Sequence, residues 1–176
     1  MPRYVALLRA INVGGHTVEM KRLQRLFEEL GFAGVSTFIA SGNVIFDVAR
    51  GTVAALEARI EAHLEKSLGY DVATFLRTPA ELGAVVARRA FAKPLPGATT
   101  YVGFLAAKAT ARAVRAVTSL AGGGNEFALF DRELYWRSTL GMGRNPLSGA
   151  KLEKALGRPM TLRKISTVEK LATKYG

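Results

Sequence analysis

The residues best equipped for chemistry stand together near the start of the chain: Arg9, Asn12, Gly14, Gly15 and His16, within Arg9-Ala10-Ile11-Asn12-Val13-Gly14-Gly15-His16. An arginine supplies a planar fork of donors that fits phosphate or carboxylate in two bonds. Asn12 adds neutral hydrogen bonds, and paired glycines leave backbone N–H groups open to close approach. Five apolar residues, Tyr4 to Leu8, precede the run, and a helical pattern opens at Thr17. Strand, permissive loop and helix N-terminus in that order suit anion binding. Neither Gly-x-x-x-x-Gly-Lys-Ser/Thr nor Gly-x-Gly-x-x-Gly is present, so this is not a P-loop or a dinucleotide fingerprint. His16 is a candidate general base, without a cysteine or a nucleophile–histidine–acid set to work with.

A second group lies in the last third. Gly141-Met142-Gly143-Arg144-Asn145 precedes a helical pattern carrying Lys151 and Lys154, and Arg158, Arg163, Lys164, Lys170 and Lys174 follow. A basic patch of Arg144, Lys151, Lys154, Arg163, Lys164 and Lys170 would track a nucleic-acid backbone. Tyr135 and Trp136 offer rings on the preceding strand. Strand neighbours face opposite ways, so only one can join a stacking platform and the other belongs to the core. Glu57, Glu61 and Glu65 recur every four residues on one helix face. A solvated face explains them better than a metal set, because hard cations draw ligands from several elements. His63 reads as a partly covered helix residue, not a ligand.

The rest of the chain must position these groups. Tyr4–Leu8 is a continuous apolar run, hence a buried strand. Thr17 is the expected N-cap of a helix with Glu19 in its first turn, Met20, Leu23, Phe27 and Leu30 on its buried face, and Gly31 at its end. Strands at Val35–Ile39 and Val44–Val48 flank the turn Ala40-Ser41-Gly42-Asn43. Thr52 opens a second helix ending at Gly69, and Asp71–Leu76 is a fourth strand. Thr78-Pro79-Ala80-Glu81 has capping-box spacing for a third helix. Phe91–Thr99, with Pro94, Pro96 and Gly97, reads as a linker.

The pattern then recurs. Tyr101-Val102-Gly103-Phe104-Leu105 echoes Tyr4-Val5-Ala6-Leu7-Leu8, and Glu153-Lys154-Ala155-Leu156-Gly157 echoes Glu65-Lys66-Ser67-Leu68-Gly69. Leu162-Arg163 followed by Ser166-Thr167-Val168-Glu169 echoes Leu76-Arg77 followed by Thr78-Pro79-Ala80-Glu81. Between them come a helix over 109–120, a loop Gly122-Gly123-Gly124, strands at 126–130 and 133–137, and a helix over 146–156. Three echoes in one order predict an internal duplication. The expected class is α+β: two ferredoxin-like βαββαβ halves with antiparallel sheets and a trailing helix each, at residues 1–90 and 100–176, joined by 91–99.

In that topology the first and third strands are antiparallel neighbours, so the Arg9–His16 loop and the Ser41-Gly42-Asn43 turn share a sheet edge. Arg9, Asn12, Gly14, Gly15, Ser41, Gly42 and Asn43 are therefore the candidate ligand-binding set. The second half passes from Leu105 through Ala106-Ala107-Lys108 straight into its helix, so the longer first loop is extra to the scaffold. A structural reading stands beside this one: Asn12 and Asn43 tie the two loops together and Arg9 pairs with an acid.

An apolar fraction of 49% with 22% charged residues is that of a folded protein, one domain or two small ones in 176 residues. With no cysteine, disulfides and thiolate metal sites are excluded, and neither metal nor cofactor is expected. The N-terminal apolar run is too short for a signal sequence or a membrane span, so a cytoplasmic location without a membrane partner is expected. The net charge of +11 is uneven: residues 1–78 carry +1, 79–143 carry +4 and 144–176 carry +6. Such a field attracts phosphates or acidic partners, or simply solubilises.

Tyr4-Val5-Ala6-Leu7-Leu8-Arg9-Ala10-Ile11-Asn12-Val13-Gly14-Gly15, taken with Ser41-Gly42-Asn43-Val44, resembles the bacterial family named domain of unknown function 1697. The likeness covers nearly the whole chain. Part of a C-terminal signature is present as well, in Gly141-Met142-Gly143-Arg144, Lys151-Leu152, Arg163 and Thr167-Val168. Arg163-Lys164-Ile165-Ser166 departs from the family's Arg-Asn-Trp-Asn and loses an aromatic and two amides. The resemblance implies tandem ferredoxin-like halves and supplies no activity. The expected function is a non-catalytic binder of a phosphate-bearing ligand, nucleotide or nucleic acid. The alternatives are a small-molecule enzyme at the same loops and a structural or oligomeric protein without a ligand; the oligomeric state is open.

Overall fold

The computed structural model describes residues 1–12, 15–39 and 42–176. In chain order the elements are β1 (Arg3–Leu8), α1 (Met20–Glu29), β2 (Ala33–Thr37), β3 (Asn43–Asp47), α2 (Val53–Leu68), β4 (Thr74–Arg77) and α3 (Pro79–Ala87). Then follow β5 (Thr99–Phe104), α4 (Ala111–Thr118), β6 (Asn125–Phe130), β7 (Glu133–Ser138), α5 (Gly149–Leu156), β8 (Thr161–Lys164) and α6 (Ile165–Tyr175). The class is α+β, with two four-stranded antiparallel sheets ordered β2-β3-β1-β4 and β6-β7-β5-β8. Two compact units result: Met1–Gly83 with Leu171–Gly176, and Ala84–Lys170. The divisions fall inside α3 and α6.

Each sheet packs one face on its own pair of helices. In the first unit Ala6, Leu8, Val44, Phe46 and Leu76 meet Leu23, Phe27, Leu56, Ile60 and Leu64 of α1 and α2. The rings of Phe32 and Phe46 stack at 4.4 Å. In the second, Tyr101, Leu134 and Trp136 meet Ala113, Val117, Leu152 and Leu156 of α4 and α5. Each Val, Leu, Ile or Phe among them contributes on the order of 1.5–3 kcal/mol by leaving water. The central strands read as unbroken apolar runs because their other face is buried too: Val5, Leu7, Ile45 and Phe75 in one sheet, Val102, Phe104 and Tyr135 in the other. That second face holds one buried arginine per sheet at matching register, Arg77 opposite Val5 and Arg163 opposite Val102. Each donates Nη1 to the carbonyl just before it, Leu76 O at 2.8 Å and Leu162 O at 2.9 Å.

Helix boundaries follow their caps. The Thr52 hydroxyl accepts the Ala55 N–H, and Gly69 closes α2 in the left-handed region. Thr78 and Glu81 form both bonds of the capping box, at 2.7 and 3.1 Å. Two expected caps fail. Thr17 does not open α1: Asn12 Oδ1 accepts the Val18 N–H at 2.7 Å and Val18 is buried, so the helix waits until Met20, with Glu19 as its uncapped flank. Ser166, expected to cap as its echo Thr78 does, lies inside α6, which follows β8 directly at Ile165.

Of the glutamate row on α2, Glu65 is exposed as expected, but Glu57 and Glu61 are not a solvated face. Glu57, nearly buried, accepts the Leu76 N–H, and Glu61 accepts the Thr74 N–H, both at 2.9 Å. Strand β4 is the edge of its sheet, so these carboxylates satisfy donors that no further strand would take. His63 is a helix residue paired with Glu29 at 2.9 Å.

Candidate functional site

The two N-terminal loops do meet. The Leu8 N–H donates to Gly42 O at 2.9 Å. A Cβ at Gly42 would lie 2.8 Å from Ile11 Cγ2 and 3.1 Å from Leu8 Cβ, and φ there is +77°. Only glycine permits that approach. Ile11 is buried, its carbonyl accepts the Tyr70 hydroxyl, and Ala10 before it sits at φ 54°. His16 stacks on Tyr70 with ring centroids 3.8 Å apart. Arg9 is half-buried and its N–H donates to Ala73 O.

The candidate residues divide accordingly. Gly14 and Ser41 lie outside the described residues. Gly15 is exposed at φ +83°, but five residues before α1, so it does not extend a helix N-terminus as the sequence suggested. Gly42 is buried against Leu8 and Ile11. Asn43 is fully buried and donates Nδ2 to Phe38 O at 2.9 Å; it builds its own turn and is not a surface donor. Asn12 remains exposed while its Oδ1 holds Val18. Of the candidate set, the described residues at the surface of this loop pair are half-buried Arg9 and exposed Asn12 and Gly15.

The basic third is redrawn more sharply. Arg144, Lys151, Lys154, Lys164 and Lys170 are exposed. Arg163 is not part of that surface: it is 8% exposed, with Nη1 on Thr161 Oγ1 at 2.8 Å and on Leu162 O. Burial lowers its pKa to about 10, which leaves it cationic at neutral pH. Its neighbour Lys164 points to the other side of the strand. Neither aromatic of β7 offers a stacking face. Trp136 is in the core with Nε1 donating to Asn125 Oδ1, and Asn145 braces that amide at 2.8 Å and Ser138 Oγ at 3.0 Å. Tyr135 is buried on the opposite face with its hydroxyl on Val85 O. Burial, aided by Glu133 and opposed by Arg88, pushes its pKa up to about 12.

What the last-third count hides is a cationic helix layer reaching back to α4. Helices α4 and α5 pack side by side over their sheet. Their charged residues are Arg112, Arg115, Lys151 and Lys154, all exposed, against the single acid Glu153. Exposed Lys108 and Arg144 and half-buried Arg158 lie near their ends. Residues 105–125 contain no acid at all, a signal legible in the sequence. The corresponding helices of the first unit, α1 and α2, carry five cations and five acids.

The second unit also holds a groove of about 510 Å³ that the sequence passes over as linker. It is lined by Arg88, Arg89, Phe91 and Lys93 together with Tyr135 and Arg137 of β7. Among the described residues, no acidic side chain lines it.

Fold and surface together define an α+β protein of two four-stranded sheets, one of them under a cationic helix layer. The chain belongs to the family described as protein of unknown function (DUF1697), whose model matches residues 1–135. Among solved structures it is similar to the conserved bacterial protein SP0830 from Streptococcus pneumoniae, with 19% identity over 99% of each chain and a TM-score of 0.73. At that identity the likeness speaks for the fold alone. No curated protein matches the chain.

Proposed function

We propose that this protein is a non-catalytic binder of phosphate-bearing ligands, and that it engages the backbone of nucleic acid through the α4–α5 layer. The observation that carries the reading is the charge of that layer, four cations to one acid, where helices α1 and α2 of the first unit carry equal numbers. Cations spaced three apart on each of two adjacent helices neutralise phosphates and release their counterions, which makes binding salt-dependent. Arg9 and Gly15 beside Gly42 are a secondary anion contact on the first unit. The same strand order and the matched arginines at Arg77 and Arg163 support a reading as two ferredoxin-like halves of a duplicated chain. No helix among the described residues is long and apolar enough to cross a membrane.

The test is a fluorescence-anisotropy titration with single-stranded and duplex oligonucleotides across a salt series. Four phosphate contacts on a duplex predict a log K against log salt slope of roughly −3.6. Absence of binding at about 50 mM salt contradicts the proposal.

A further inference from the structure

We propose that the groove between residues 86–94 and β7 is a binding site for a small phosphate monoester with a flat apolar body, the chemistry of a mononucleotide. Its volume of about 510 Å³ lies in the range of small-molecule sites and far exceeds what an inorganic anion would fill. The lining combines two chemistries. Val86, Phe91, Pro94 and Ile165 supply apolar walls, and Arg88, Arg89, Lys93 and Arg137 supply four cations.

Two of those cations are held rigidly before any ligand arrives. The Arg137 guanidinium lies over the Phe91 ring at 4.3 Å, donates Nη1 to Lys93 O at 2.7 Å and pairs through Nε with Glu126. The Arg88 guanidinium lies over Phe130 at 4.6 Å and faces Asp131 at 3.8 Å. These stacks fix the walls and lower the entropy lost on binding. Arg89 and Lys93 are exposed at the rim, where a dianionic phosphate would meet them first. Thr100, also in the lining, adds a hydroxyl that reads polar atoms of the ligand body. Glu126 and Asp131 offset part of the charge of Arg137 and Arg88, so Arg89 and Lys93 decide whether an anion is held.

The site is separate from the α4–α5 layer, and the experiment keeps the two apart. Isothermal titration calorimetry of the full chain would use the four ribonucleoside monophosphates, with adenosine and inorganic phosphate as half-ligand probes. At least one monophosphate is expected to bind, with each half-ligand roughly tenfold or more weaker. Arg89→Glu with Lys93→Glu is expected to abolish that binding at unchanged melting temperature, while Lys151→Gln with Lys154→Gln leaves it intact. Adenosine binding as well as its monophosphate overturns the assignment, as does monophosphate binding that survives the double charge reversal or the absence of binding by any monophosphate. If oligonucleotides fail to bind while a monophosphate binds and responds to Arg89 and Lys93, the nucleic-acid reading falls and this one stands.

Discussion

In the first unit helix carboxylates turn toward the sheet, whereas in the second helix cations turn toward water. Helix α2 runs sixteen residues, and Glu57 and Glu61 reach the N–H groups of edge strand β4. Aligning Glu65–Gly69 with Glu153–Gly157 puts Asn145 and Gly149 at those two positions in the second unit, where α5 has eight residues. Asn145 instead braces Asn125 and Ser138. The connections differ too: residues 9–19 separate β1 from α1, but only 105–110 separate β5 from α4. One strand order therefore accommodates two ways of completing its polar groups. Neither the long first loop nor the cations of α4 and α5 are demanded by the scaffold.

The comparison breaks first in the core. Trp136→Ala removes a fully buried ring and leaves the Asn125 amide short of a donor; a loss of about 3–5 kcal/mol is expected by urea denaturation. A loss near zero would mean that the second unit does not depend on this core. Next comes the helix layer. Glu57→Ala orphans the Leu76 N–H and should cost about 1–3 kcal/mol, while Lys154→Ala should stay within about 0.5 kcal/mol. Equal effects would erase the distinction between an inward carboxylate and an outward cation.

The smallest effect is on the acid limb. Asp47 accepts from Arg3 at 2.8 and 3.1 Å, and that hydrogen bond holds its pKa below the ordinary carboxylate value. A lowered folded pKa gives stability that is full above about pH 4 and lost as pH falls through the lowered value. At the matching position of the second unit Thr100 faces Arg137, so the contribution belongs to the first unit alone. Asp47→Asn should flatten the melting temperature against pH below about pH 4 and leave it unchanged near neutrality. An unaltered acid limb would show that the pair is screened by solvent.

The central strands were legible because buried strands write themselves as apolar runs, and the N-cap at Thr52 and the capping box at Thr78 because their bonds are local. Glu57 and Glu61 were misread because i, i+4 carboxylates look solvated until the edge of β4 is known to lie beside them. Thr17 lost its cap where the Val18 N–H donates to Asn12, six residues before it, which no propensity reports. Arg163 sits next to Lys164 in sequence but on the other face of β8, so composition merged what the strand separates. The groove required β7 to meet a segment some forty residues upstream in the chain, and its arginines looked like ordinary surface charge.

The most direct measurement compares matched charge removals on the two units. Oligonucleotide affinity against salt would be measured for the wild type, for Arg112→Gln with Arg115→Gln, Lys151→Gln and Lys154→Gln, and for Lys21→Gln with Arg22→Gln, Arg25→Gln and Lys66→Gln on α1 and α2. The first variant should lose most of its affinity and roughly 3 to 4 units of salt slope, while the second stays close to wild type. Equal losses in both variants, or an unchanged slope in the first, would contradict a binding face on α4 and α5.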